Sequence, residues 1–228
     1  MAKDGVILVD KPRGMTSHDV VDFIRKRFDY RKVGHAGTLD PMASGLLIIL
    51  LGSFTKKSDH FLNCDKEYEA RLFLGVSTDT GDAEGNTAGT KAVPPGAFSI
   101  ENIESALKFF RGPILQVPPM YSAKKVKGRK LYELARKGIV IERQPREVFI
   151  KELKIMDISQ PELGVYVKCS KGTYIRQLAE DIGKKIGCGA HLSFLKRTKI
   201  GPFCLSEAVP FKQLSPGNIF YENILQPE

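Results

Sequence analysis

The sequence predicts an α+β fold built on a mixed sheet. Two observations carry this: strand-type and helix-type patterns intermix along the 228 residues without the regular βα rhythm of a doubly wound fold, and no internal repeat organises them. One domain spanning 1–228 with an insertion is expected, since this length can bury one sizeable core.

Val6–Val9 reads as a strand, stopped by Lys11-Pro12-Arg13-Gly14. Thr16-x-x-Asp19 has the form of a capping box, and Val20, Val21, Ile24 and Phe28 then share one face at helical spacing. A glycine-punctuated loop from Gly34 to Pro41 leads into the apolar run Leu46–Leu51. Tyr68, Ala70, Leu72 and Leu74 alternate with polar residues, the signature of a strand with one buried face. Ser99 is placed to cap a helix carrying Ile103, Ala106, Leu107 and Phe110 on one side, with Gly112-Pro113 as its stop. Val165, Val167 and Cys169 form another alternating strand. Thr173 is then expected to cap a helix presenting Ile175, Leu178, Ala179 and Ile182, with Tyr174 and Arg176 in its first turn.

Composition narrows the function classes. The longest apolar run is six residues, far short of the roughly 20 that span a bilayer, and the N-terminus lacks the form of an export signal. Cys64, Cys169, Cys188 and Cys204 form no C-x-x-C pair, consistent with thiols in a reducing cytoplasm. Net charge is +9 and pI about 9.3, which favours a polyanionic partner. From Gln116 to Lys151 there are ten Lys or Arg against three Glu. Most of the charge excess therefore lies in one segment.

Dinucleotide, P-loop, zincin and serine-hydrolase motifs are all missing from the sequence. The acidic turn Asp79–Gly85 lacks the ligand spacing of an EF-hand and reads as a solvated turn. The stretch Gly34-His35-Ala36-Gly37-Thr38-Leu39-Asp40-Pro41 is more informative. Proline after Asp40 biases that residue towards extended backbone, and the glycines permit close approach of a ligand or another backbone. Such a stretch can present a carboxylate, although Asp-Pro and Gly-x-x-Gly are also common turn material.

His35-Ala-Gly-Thr-Leu-Asp40-Pro occurs together with Lys11-Pro12, Asp65-Lys66-x-Tyr68, Thr78-Asp79-Thr80-x-Asp82-Ala-x-Gly85, Val117-Pro-Pro-x-Tyr121-Ser122-Ala-x-Lys125 and Lys171-Gly-Thr-Tyr174-Ile-Arg176. In content and order these six motifs resemble the bacterial tRNA pseudouridine-55 synthase family (TruB), from about Gly5 to Glu207. The resemblance implies a pseudouridine synthase fold, with a mainly antiparallel sheet flanked by helices. It also implies an isomerase converting uridine 55 of the tRNA T-arm to pseudouridine.

In that reading Asp40 is the catalytic aspartate, Tyr68 stacks on the target base and Arg176 pairs with the aspartate. His35 fills space vacated by the flipped nucleotide, Leu195 lies beneath the uracil, and Lys11 and Tyr174 contribute to substrate binding. The segment from about 116 to 148 corresponds to an RNA-gripping insertion, where Lys124, Lys125, Lys127, Arg129 and Lys130 would meet phosphates and set affinity rather than base choice. A monomer needing neither cofactor, metal nor guide RNA is expected. Family members commonly carry a C-terminal PUA-type domain, for which this chain is too short. Two rivals are a non-catalytic T-arm binding module and the guide-RNA-dependent branch of the superfamily. Asp40, Tyr68 and Arg176 together favour catalysis over the first, and the missing C-terminal domain counts against the second.

Overall fold

The computed structural model describes residues 4–122, 125–126, 129–135, 138–214 and 222–226. In chain order the elements are β1 (Gly5–Lys11), α1 (Ser17–Arg27), β2 (Val33–Ala36), β3 (Ser44–Leu51), α2 (Ser58–Asn63), β4 (Lys66–Leu74), β5 (Val76–Thr78) and β6 (Thr87–Thr90). There follow α3 (Ile100–Leu107), β7 (Gly112–Gln116), β8 (Lys125–Val126), β9 (Arg129–Lys130), α4 (Leu131–Ala135), β10 (Arg146–Ser159), β11 (Glu162–Cys169), α5 (Ile175–Ile186), β12 (Ala190–Ile200), β13 (Phe203–Cys204) and β14 (Val209–Pro210). This is the α+β class that the sequence predicts. Its strand pairs are mostly antiparallel, with β1–β14 and β3–β12 parallel. No helix among the described residues is long and apolar enough to cross a membrane.

The chain divides into two compact units, one of Met1–Tyr68 with Leu195–Glu228 and one of Glu69–Phe194. In the first, β1 lies between β14 and β3, and β2 also pairs with β3. Strand β3 is buried from Gly45 to Leu51, as its unbroken apolar run requires. Leu46, Ile48 and Leu50 join Val6, Leu8, Ala36, Phe54, Phe61 and Ile200 in one core cluster. Helix α1 begins with the expected capping box of Thr16 and Asp19, and buries Val20, Val21 and Ile24. Strand β2 occupies part of the expected loop: glycines there mask a short strand whose Val33 and Ala36 are buried.

In the second unit the sheet order is β4–β11–β10–β7. Inward positions of β4 alternate as the sequence pattern demands. Ser99 caps α3 by accepting from the Asn102 amide, and Ile103, Ala106 and Leu107 are buried. Phe110 lies beyond the α-helix in a 3-10 turn. Helix α5 differs from expectation at its start, where Tyr174 is the N-cap residue and no side chain caps it. The Thr173 hydroxyl instead donates to the Ser170 carbonyl at 2.9 Å, closing the tight turn through Lys171 and Gly172.

The basic segment leaves and rejoins the sheet at one point, because Gln116 at the end of β7 is paired with Arg146 at the start of β10. Within it, β8 and β9 form a small hairpin followed by α4.

Candidate active site

Asp40 lies in the first unit, in the connection between β2 and β3. Its neighbours Leu39, Met42 and Ala43 are buried while Asp40 itself is half-buried. A carboxylate is thus presented from a backbone anchored on both sides. The anchors are specific. Ser17, the first residue of α1, is 1% exposed, and its hydroxyl accepts from the Leu39 amide at 2.8 Å and donates to the Leu39 carbonyl at 3.1 Å. The Gly14 amide donates to the Pro41 carbonyl at 2.8 Å, and the Arg13 Nε donates to the Met42 carbonyl at 3.1 Å. A turn bond from the Ala43 amide to the Asp40 carbonyl, 3.0 Å, closes the loop on itself.

Arg197 holds the other side. It is 2% exposed, and its guanidinium donates to the carbonyls of Gly37 at 2.9 Å, Thr38 at 3.4 Å and Leu46 at 2.8 Å. Its backbone also pairs with Gly45 across the parallel β3–β12 contact. Gly45 has a φ of +100°, and a Cβ there would overlap the Arg197 carbonyl oxygen. Only glycine fits. Lys11 is fully buried, and its ammonium donates to the carbonyls of Pro12 and Met15 at 2.8 and 2.7 Å. It thereby ties down the Pro12–Met15 turn, which in turn supports Pro41 and Met42.

His35 stands on β2 opposite Ile49. Burial, with the positive charge of Arg197 and then His18, lowers its pKa from 6.5 to about 4, so the ring is neutral near pH 7. Its Nδ1 is buried with no hydrogen-bond partner among the described residues. Tyr68 and Leu195 are 8% and 5% exposed, both on inward phases of their strands.

The second unit carries Tyr174 and Arg176. Arg176, in the first turn of α5, forms an ion pair with Asp82 at 3.4 Å, both side chains being 6% exposed. It also donates to the Thr80 carbonyl at 3.0 Å and the Tyr121 carbonyl at 2.7 Å. Asp82 accepts from the Thr80 hydroxyl at 2.7 Å and the Glu84 amide at 3.1 Å. The acidic turn is therefore not simply solvated, which corrects the expectation from sequence. Asp79 and Glu84 face solvent, but Asp82 turns inward to a buried cation. Tyr174 is fixed through its backbone: the Gln116 amide group accepts from its N–H at 2.8 Å and donates to its carbonyl at 3.0 Å.

Ser17, Gln116 and Arg197 are positioning groups that sequence patterns do not single out, and Asp82, although part of the Thr78–Gly85 motif, is legible there only as one acid of a turn. Lys124 and Lys127 lie outside the described residues, and Lys125, Arg129 and Lys130 are described as backbone of β8 and β9. Among the described residues no cluster of His, Cys, Asp or Glu is placed to hold a metal.

Residues 25–175 match the TruB family of pseudouridylate synthases, N-terminal domain, and residues 176–227 match the C-terminal domain of tRNA pseudouridylate synthase B. The chain is 46% identical over 224 residues to a tRNA pseudouridine synthase B of Protochlamydia amoebophila, covering 98% of this chain and 84% of the relative. It is 51% identical over 211 residues to that of Dechloromonas aromatica, covering 92% and 70%. Among solved structures, a chain of a Cbf5-Nop10-Gar1 complex superposes with a TM-score of 0.72 at 32% identity. A chain of an archaeal box H/ACA sRNP Nop10-Cbf5 complex gives 0.69 at 29%. These cover 92% and 96% of this chain, which spans about half the length of either.

Proposed function

The chain belongs to the TruB family of pseudouridylate synthases, and we propose on that premise that it isomerises uridine 55 in the T-arm of tRNA, with Asp40 as catalytic carboxylate. The observation that carries the reading is the fixing of the Asp40 loop from three directions, by Ser17, by the Arg13-Gly14 turn and by Arg197. Catalytic carboxylates gain from such preorganisation, because geometry fixed before substrate arrives need not be organised at the transition state.

The reaction breaks the N1–C1′ bond of uridine, turns the base, forms a C5–C1′ bond, moves the C5 proton away and leaves N1 protonated. Product and substrate are isomers, so no oxidant, reductant or second substrate is consumed. A nucleophilic carboxylate is the group this requires, and Asp40 can serve as one when ionised. The target base must leave the RNA stack to reach it. In this reading Tyr68 offers a stacking face, Leu195 an apolar floor, and the neutral His35 ring fills the vacated space without adding charge.

Phosphate contacts fall to the basic segment and its Lys124, Lys125, Lys127, Arg129 and Lys130. The protein is read as a monomer that acts in the cytoplasm on tRNA directly, without guide RNA. Relatives named for tRNA are 46–51% identical, whereas a chain from the box H/ACA sRNP complex is 29% identical, which favours the direct reading.

The test is Asp40→Asn assayed for single-turnover isomerisation of an unmodified T-arm, beside filter binding of the same RNA. Turnover should vanish while affinity stays within a few-fold, since shape and basic surface remain. Pseudouridine formed at a comparable rate would overturn the assignment.

A further inference from the structure

Asp40 sits directly after a residue whose backbone is gripped at both of its polar groups by one buried hydroxyl. The Ser17 oxygen binds the Leu39 amide and carbonyl together, so any shift of Leu39 along or across the chain lengthens one of the two bonds. On the far side Arg197 spans the carbonyls of Gly37, Thr38 and Leu46, bridging the residues that lead into the loop and those that leave it.

We propose that Ser17 and Arg197 are positioning residues that together hold the Asp40 carboxylate in its reactive place. The proposal rests on the reading of Asp40 as the catalytic carboxylate. Ser17 reaches the loop from the first turn of α1, and Arg197 reaches it from β12. Asp40 is therefore referenced to two separate elements of its unit's core as well as to its loop neighbour Ala43. Arg197 acts over a long stretch of chain, since it lies 160 residues from Gly37 in sequence. Its planar fork suits three carbonyls in a way that a lysine ammonium does not.

Removing the Ser17 hydroxyl frees the Leu39 backbone without touching any group proposed to meet RNA. Misplacing a reacting group by about 1 Å can cost on the order of 100-fold in rate. A loosened loop should therefore lower the chemical step and leave RNA affinity alone. A role confined to stability would do the reverse, lowering the folded fraction while each folded molecule kept its rate.

The experiment compares Asp40→Asn, Ser17→Ala, Ser17→Thr and Arg197→Lys in the full chain. For each, the single-turnover rate at saturating enzyme, the Kd for the unmodified T-arm and the folded fraction by thermal melting are measured. Ser17→Ala should lower the rate per folded molecule about tenfold or more with Kd within twofold, and Ser17→Thr should recover most of it. Arg197→Lys should fall in the same direction.

A parental rate in Ser17→Ala with Asp40→Asn inactive would overturn the clamp and leave the catalytic reading standing. So would a slow Ser17→Ala variant whose Kd weakens by the same factor, or one that Ser17→Thr fails to rescue. An active Asp40→Asn variant would instead overturn the catalytic reading.

Discussion

The Arg176 guanidinium stands 3.4 Å from the Asp82 carboxylate, with both side chains only 6% exposed. The two residues are far apart in sequence, and the Thr80 and Tyr121 carbonyls accept from the same guanidinium. Arg176 thus joins α5, the acidic turn and the entry to the basic segment within the second unit. An arrangement of this kind fixes where a guanidinium can point.

Asp82→Asn keeps the shape of the side chain and removes one carboxylate charge from beside a buried guanidinium. Breaking a buried pair from one side costs about 3–5 kcal/mol. The variant should melt well below the parent and isomerise more slowly even where folded. Arg176→Lys should restore little of the activity lost in Arg176→Ala, because an ammonium cannot serve two carbonyls and a carboxylate in fork geometry. Parental melting and parental rate in Asp82→Asn would show that the pair positions nothing.

His35 gives a pH signature. Its pKa is lowered from 6.5 to about 4, mainly by burial. Between those values the unfolded chain takes up a proton that the native ring refuses, so stability is lost as pH falls through the window and is fully present above it. Near pH 5 this one group should cost about 1–2 kcal/mol relative to pH 7. Urea unfolding of the parent and of His35→Gln at both pH values checks this, the variant losing less. Identical pH dependence in the two proteins would place the ring in contact with water.

Tyr68 separates two roles. Tyr68→Phe keeps the ring and Tyr68→Leu removes it. If the side chain only stacks on the base, Phe retains most of the single-turnover rate and Leu loses it. A phenol that also handles the C5 proton makes Phe bind normally and turn over slowly. Near-parental rates in both would make Tyr68 a core residue, a role its 8% exposure also fits.

Local signals are legible in the sequence and long-range ones are not. The Thr16/Asp19 capping box and the alternation through Tyr68–Leu74 follow rules of short reach, and both are present in the structure. Ser17 lies inside that capping box and looks like an ordinary first-turn serine. Its partner Leu39 is 22 residues away. Arg197 carries a faint mark, a charged residue two positions after the buried Leu195 and so on the inward phase of β12. The inward turn of Asp82 is hidden because its acidic neighbours Asp79 and Glu84 do face solvent. At Thr173 a local capping rule loses to a competing local bond, the hydroxyl turning to Ser170.

The basic segment between Gln116 and Arg146 gives the remaining prediction. Its ends are adjacent across the β7–β10 pair, so its charge can change with little effect on the sheet it leaves. Replacing Lys124, Lys125, Lys127, Arg129 and Lys130 together by Gln should weaken T-arm binding and flatten its dependence on salt. Each phosphate contact releases condensed counterion, and each one lost should reduce the slope of log K against log salt by roughly 0.7–0.9. Stability should change little on this assignment, since side chains given to phosphate are not given to packing, and such substitutions usually alter folding by about 0.5 kcal/mol or less. The rate at saturating enzyme should return towards the parent, because the segment is assigned to holding RNA while Asp40 acts from the other unit. Binding titrations over a range of potassium chloride, beside single-turnover assays, measure both quantities. An unchanged slope with intact affinity would show that phosphates are met elsewhere on the protein.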